Sequence, residues 1–259
     1  MRVSYRLWLV VLLLSPAAMA GSSYVALPGG RFVSALAGDR GQAQALKIAP
    51  FAMRVAPVTI AEFEQFLARN PYWARDRIPQ LLASADYLKD WASPLRAGTA
   101  LPPSAPVTQV SWFAARAYCA SEDAHLPSWT QWEYAAAADA RRADARDDDA
   151  RNQLILSATL QTTGHAPGPV EQDPANVYGL HNLAGLVWEW VDDYGAMFPR
   201  PDARDPGQGN SLALCGGSAL AFHDRGQYAL MMRVAVLSTL KPDDSTANLG
   251  FRCVRVIGE

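Results

Sequence analysis

The chain has 259 residues, of which 50% are hydrophobic and 19% charged, a balance that excludes disorder as its overall state. A formal charge of −2 gives no electrostatic footprint for nucleic acid or anionic lipid, so neither is expected as a partner. Eighteen glycines and eighteen prolines fit a loop-rich chain, and no internal repeat or composition shift marks a second domain.

The first twenty residues read as a targeting segment. Arg2 and Arg6 form a basic start, residues 7–14 an apolar core, and Ala18-Met19-Ala20 a small-x-small cleavage site. A bilayer span needs roughly 20 apolar residues, so this run is too short for an anchor and cleavage after Ala20 is expected. The expected product, residues 21–259, is a single exported domain, periplasmic or secreted, with no membrane span after signal cleavage.

Residues 24–58 read as short strands: Tyr24-Val25-Ala26-Leu27, a Pro28-Gly29-Gly30 turn, then runs over 31–36 and 46–55. Thr59 followed by Glu62 is a capping box that opens a helix with the apolar stripe Ile60, Phe63, Phe66 and Leu67, ended by Asn70-Pro71. Residues 71–106 mix Trp73, Tyr87 and Trp91 with prolines and polar residues and read as a long surface excursion. Ser111 caps a second helix through Trp112, Ala115, Tyr118 and Cys119, and Ser128 with Gln131 is a capping box for a third through Trp132 and Ala136. The dense charge alternation over 141–151 reads as a solvated helix end, and residues 164–174 as a Pro/Gly-rich loop.

That loop leads into the stretch on which the chain is organised, residues 176–190, N-V-Y-G-L-H-N-L-A-G-L-V-W-E-W. Period-two alternation over Trp188-Glu189-Trp190 sends both indoles to one face, a large apolar area, and Glu189 to the other. A carboxylate near the core needs a partner. Two readings stay open for Glu189, a structural carboxylate bonded to backbone amides or an arginine, and a metal ligand.

This stretch resembles the signature of the formylglycine-generating enzymes, also called sulfatase-modifying factors. Further pieces fall in that family's order: Pro28-Gly29-Gly30 with Phe32, Pro57-Val58-Thr59, and Val110-Ser111-Trp112 through Tyr118-Cys119. Leu126-Pro127, Trp132-Glu133-Tyr134, Gly216-Gly217-Ser218 and Asn248-Leu249-Gly250-Phe251-Arg252 follow. The resemblance implies an α+β fold, irregular and C-type-lectin-like, with little regular secondary structure. It also implies a disulfide between Cys119 and Cys253, the cysteines of the family's Tyr-Cys and Gly-Phe-Arg-Cys motifs.

The chemistry it implies is oxidation of a substrate cysteine to formylglycine by copper(I) held on two cysteines. Thiolates are the soft ligands copper(I) wants, and the first such position, three residues after Ser218, is Ala221 here. No cysteine lies between Ser218 and Cys253, so copper is not expected. Leu186 stands where the family's calcium-ligating Asn stands, which leaves Glu189 as the calcium candidate. The related ergothioneine-pathway enzymes imply iron, but His125, His165, His181 and His223 show no facial-triad spacing.

Gly185-Leu186, Cys215 before Gly216-Gly217 and Ser238-Thr239-Leu240-Lys241 resemble the family members that accompany copper-containing nitrite reductase. Two function classes therefore compete. One is an accessory protein that binds, or assists maturation of, an exported client protein or its peptide, with nitrite reductase as a candidate client. The other is an oxidoreductase of altered chemistry, or a formylglycine-generating-type modifying enzyme, using Cys215, Ser218, His223 and Arg233 in the same pocket. For Cys215, left over once the other two pair, a buried small hydrophobe and a reactive pocket thiol are both open readings.

Overall fold

A computed structural model describes residues 24–37, 43–161, 166–183, 185–195 and 228–258. The expected signal segment, His165, Cys215, Ser218, Ala221 and His223 lie outside the described residues.

The fold is a mixture of helices and small, irregular sheets. β1 (Tyr24–Leu27), β4 (Phe51–Arg54) and β7 (Val254–Val256) form an antiparallel sheet with β4 in the middle. β2 (Gly30–Ala37) and β3 (Ala43–Ile48) form a separate antiparallel pair with a register shift after Val33. The run expected as one strand over 46–55 is thus two strands in two sheets. Pro50 lacks an N–H for a ladder, and the break falls at Ala49-Pro50, both exposed. β5 (Trp188–Glu189) pairs in parallel with β6 (Leu249–Gly250).

The three expected helices form where their caps put them. α1 (Ile60–Arg69) starts at a reciprocal capping box, Thr59 Oγ1 accepting from the Glu62 N–H and Glu62 accepting from the Thr59 N–H. Its buried side chains are Ile60, Phe63, Phe66 and Leu67, one helical stripe. α2 (Trp112–Ala120) is capped by Ser111 and α3 (Trp129–Ala137) by Ser128 with Gln131. Phe63, Phe66, Tyr118, Phe251 and Trp91 pack ring against ring at the centre of the core.

Among the described residues two α-helices lie beyond those three, α4 (Asp149–Gln161) and α5 (Tyr228–Thr239), packed on each other. The charged stretch 141–151 is therefore not the end of α3. It is a loop followed by the start of α4, and Arg146 stacks on Phe32 with its guanidinium carbon 4.4 Å from the ring centroid. Nor is 71–106 a surface excursion throughout. Tyr87, Leu88 and Trp91 are buried in the main core, and the Tyr87 hydroxyl donates to Trp73 O at 2.9 Å.

Cys119 and Cys253 are joined as a disulfide, Cα to Cα 5.5 Å, which fastens α2 to the strand β7 that follows. Gly250 is required by a close approach: a Cβ there would sit 2.7 Å from Val107 O.

Candidate functional site

The centre of the organising stretch is Glu189, wholly buried with Trp190 while Trp188 is only half-buried. Both indoles nevertheless belong to the same core, Trp190 inside it and Trp188 packed against it. The strand is two residues long, and Trp190 Nε1 beyond it donates to Val110 O at 2.9 Å.

The partner of the Glu189 carboxylate is Arg252, from the Asn248-Leu249-Gly250-Phe251-Arg252 motif. Arg252 Nε donates to Oε2 at 2.9 Å and Nη2 to Oε1 at 2.8 Å, a two-pronged pair. Trp132 Nε1 donates to Oε2 at 2.9 Å from α3. Arg252 spends its remaining donors on backbone, to His181 O at 3.0 Å and to Arg54 O and Val55 O at 3.4 Å. One buried cation thus ties the organising stretch to the exit of β4 and to the last strand. Of the two readings open for Glu189, the arginine partner is the one present.

The calcium expectation for Glu189 does not fit this geometry. Both oxygens face N–H donors, and a guanidinium lies where a divalent cation would have to approach. Calcium wants six to eight oxygens. Among the described residues, no three His, Cys, Asp or Glu side chains gather as a metal-ion site. The same shielding leaves Glu189 out of reach of a substrate proton, so it is not placed to act as a general base. His181 Nδ1 lies 2.7 Å from Asp173 O, a structural hydrogen bond.

A second arginine meets the same glutamate. Arg233, on α5, was singled out in the sequence as a pocket candidate. Its Nη2 donates to Glu189 O at 2.6 Å, and its guanidinium carbon lies 3.6 Å from the Trp132 ring centroid. The side chain is almost wholly buried, and its Nε has no hydrogen-bond partner among the described residues. Burial, against the pull of Glu189 and with the push of Arg252, lowers its pKa to about 9, so it remains protonated at neutral pH. Among the described residues the Glu189 carboxylate is ion-paired with Arg252, and Arg233 is bonded only to the Glu189 backbone carbonyl.

Arg233 lines a cleft between α3, α4, α5 and the residues before β5, of about 660 Å³ counted to its open mouth. Its walls are mainly apolar, Ile155, Leu183, Val187 and Trp188 among them. Gly185 lets this segment lie against α4, since a Cβ there would meet Ala158 Cβ at 2.6 Å and the backbone φ is +88°. The sequence reading brought Arg233 and Glu189 into view separately. It missed Arg252 as the partner and the cleft itself, because α4 and α5 were not expected.

The Sulfatase-modifying factor enzyme 1-like domain matches residues 13–257 of the chain. Over 168 residues the chain is 38% identical to the formylglycine-generating enzyme of Streptomyces coelicolor, which takes in 58% of this chain and 52% of that enzyme. The chain spans about half the length of that relative. It is 28% identical over 274 residues to the inactive C-alpha-formylglycine-generating enzyme 2 of Mus musculus, covering 90% of this chain and 86% of that protein. In structure it shares its fold with PvdO from Pseudomonas aeruginosa, at a TM-score of 0.53 and 17% identity over 90% of this chain and 94% of that one. The signature pieces, their order along the chain and the extent of the domain match agree, and the chain belongs to the sulfatase-modifying factor family.

Proposed function

We propose that this chain is an exported accessory protein that keeps the scaffold of the formylglycine-generating enzymes without their copper chemistry, and that it binds an exported client enzyme or assists its maturation. The observation that carries the reading is the lack of any cysteine between Ser218 and Cys253, with Ala221 in the first copper-ligand position. Without thiolates, copper(I) has lost the ligands it prefers. Likeness to a mouse protein named as inactive, along 90% of this chain, supports a scaffold retained without that reaction. The basic start, apolar run and Ala18-Met19-Ala20 support export, and the Cys119–Cys253 disulfide suits an oxidising compartment. A copper-containing nitrite reductase is the client that the short segments around Leu186, Cys215 and Lys241 suggest.

The chemistry is tested by titrating the mature protein with copper(I) under anaerobic conditions and then assaying a Cys-x-Pro-x-Arg peptide. Neither tight copper binding nor an aldehyde product is expected, and finding both would overturn the reading. For the client, an exported copper nitrite reductase is produced with and without this chain, and its copper content and specific activity are compared. Equal values with no association between the two proteins would remove that client.

A further inference from the structure

We infer that the cleft between α3, α4 and α5 binds a small organic anion, a monocarboxylate on an apolar body, whose charged end engages Arg233. The inference is independent of the accessory role and stands or falls separately from it.

Three observations point the same way. First, three arginines line the cleft, Arg146, Arg151 and Arg233, and no Asp or Glu does among the described residues. Second, the three differ in what they have left to give. Arg146 is engaged by Asp144 and Glu133, and Arg151 donates to Ala136 O and Ala138 O. A guanidinium carries five N–H donors, and Arg233 makes a single hydrogen bond among the described residues, to Glu189 O. Its Nε is buried with no partner among the described residues. Such a group is costly unless something completes it, and a charged acceptor completes it best.

Third, the rest of the wall selects the other end of the ligand. Ile155, Leu183, Val187 and Trp188 offer hydrocarbon and an indole face, with the Asn152 amide among them. An inorganic anion would leave that surface uncovered, whereas a carboxylate carried on an aliphatic or aromatic body meets both halves. The same chemistry is found in a free organic acid and at the C-terminus of an apolar peptide.

The test is calorimetric titration of the mature full chain with sodium benzoate, sodium octanoate and neutral benzamide. A second arm uses the tripeptide Gly-Leu-Phe as its acid and as its amide. Saturable binding of a carboxylate, with its neutral amide weaker by about tenfold or more, is the expected result. Preference for benzoate or octanoate assigns a free acid as the source, and preference for the tripeptide acid assigns a chain terminus.

Two variants locate the site. Ile155→Glu places a carboxylate on the cleft wall without touching the Glu189 cluster and should weaken acid binding about tenfold or more. Leu154→Glu, on the exposed side of the same helix, should leave it unchanged. Arg233→Met should abolish the preference for acid over amide. No saturation by any of the acids below about 10 mM, equal binding of acid and amide, or indifference to Ile155→Glu would each overturn the inference.

Discussion

Glu189 is served by two arginines, and the two sides of it are built differently. On the Arg252 side every charge is met: the carboxylate takes three N–H donors, and the guanidinium divides the rest among three backbone carbonyls. On the Arg233 side the cation has, among the described residues, one carbonyl, one indole face and an open cleft. A buried ion pair with complete hydrogen bonding is architecture. A buried cation left short of acceptors beside a cleft is a binding group.

The contrast predicts opposite responses to the same substitution. Arg252→Met leaves the Glu189 carboxylate buried with one indole donor, and should cost about 3–5 kcal/mol in urea unfolding. Arg233→Met removes one hydrogen bond but also a buried charge with no ion pair among the described residues, and should stay within about 1 kcal/mol of the parent. Equal losses in the two variants would dissolve the distinction, since both arginines would then be structural alike.

Much of the closed side was legible in the sequence and little of the open side was. The caps at Thr59, Ser111 and Ser128 are local chemistry, three residues from cap to partner, so sequence alone places α1, α2 and α3. The need of Glu189 for a partner also followed from its setting between two indoles. The partner's number did not, because Arg252 lies 63 residues away and only the packing of β5 on β6 brings the two together.

The cleft was hidden for a different reason. Its walls α4 and α5 lack a clean amphipathic period. Residues 228–237 are almost wholly apolar apart from Arg233, a pattern that marks a buried helix only once its neighbours are known. Charge alternation over 141–151 suggested solvent, yet Arg146 lies across Phe32 and reaches Glu133 in the interior. Proline content over 71–106 likewise outweighed Tyr87 and Trp91, which turned out to be core. Cys215, Ser218 and His223 lie outside the described residues, so the pocket-thiol reading stays where the sequence left it.

The disulfide sharpens the contrast from the closed side. Cys253 follows Arg252 directly, and its bond to Cys119 spans a sequence separation of 134. Replacing both cysteines by alanine should cost about 2–4 kcal/mol, below the roughly 5 kcal/mol that chain entropy alone assigns to so long a loop. Because the bridge holds the Arg252 side, carboxylate binding at the cleft should persist in the variant under conditions where it is folded. Calorimetry of the variant beside denaturant curves separates the two effects, and loss of binding in a folded variant would show the two sides to be coupled.

Glu133, next to Trp132 on α3, is the intermediate case and gives the smallest expected effect. It is wholly buried, and accepts from Ser34 Oγ at 2.5 Å, from the Ala35 N–H at 2.6 Å and from Arg146 Nη1 at 3.3 Å. Burial is the largest influence on it and holds its pKa above the ordinary glutamate value of 4.5, although those donors pull the other way. A carboxyl whose folded pKa exceeds its unfolded one contributes stability that is complete below the unfolded value and is lost as pH rises through the folded value. Glu133→Gln keeps the shape and removes that titration. At pH 4 the variant should therefore be about 1 kcal/mol less stable than the parent, and the gap should narrow towards pH 7, as the parent alone comes to bear the charge. Urea unfolding of both proteins across that range reads the difference directly. A gap that widens with pH would mean that Arg146 and the two short hydrogen bonds outweigh burial, and Glu133 would then belong with Glu189 as a fully compensated charge.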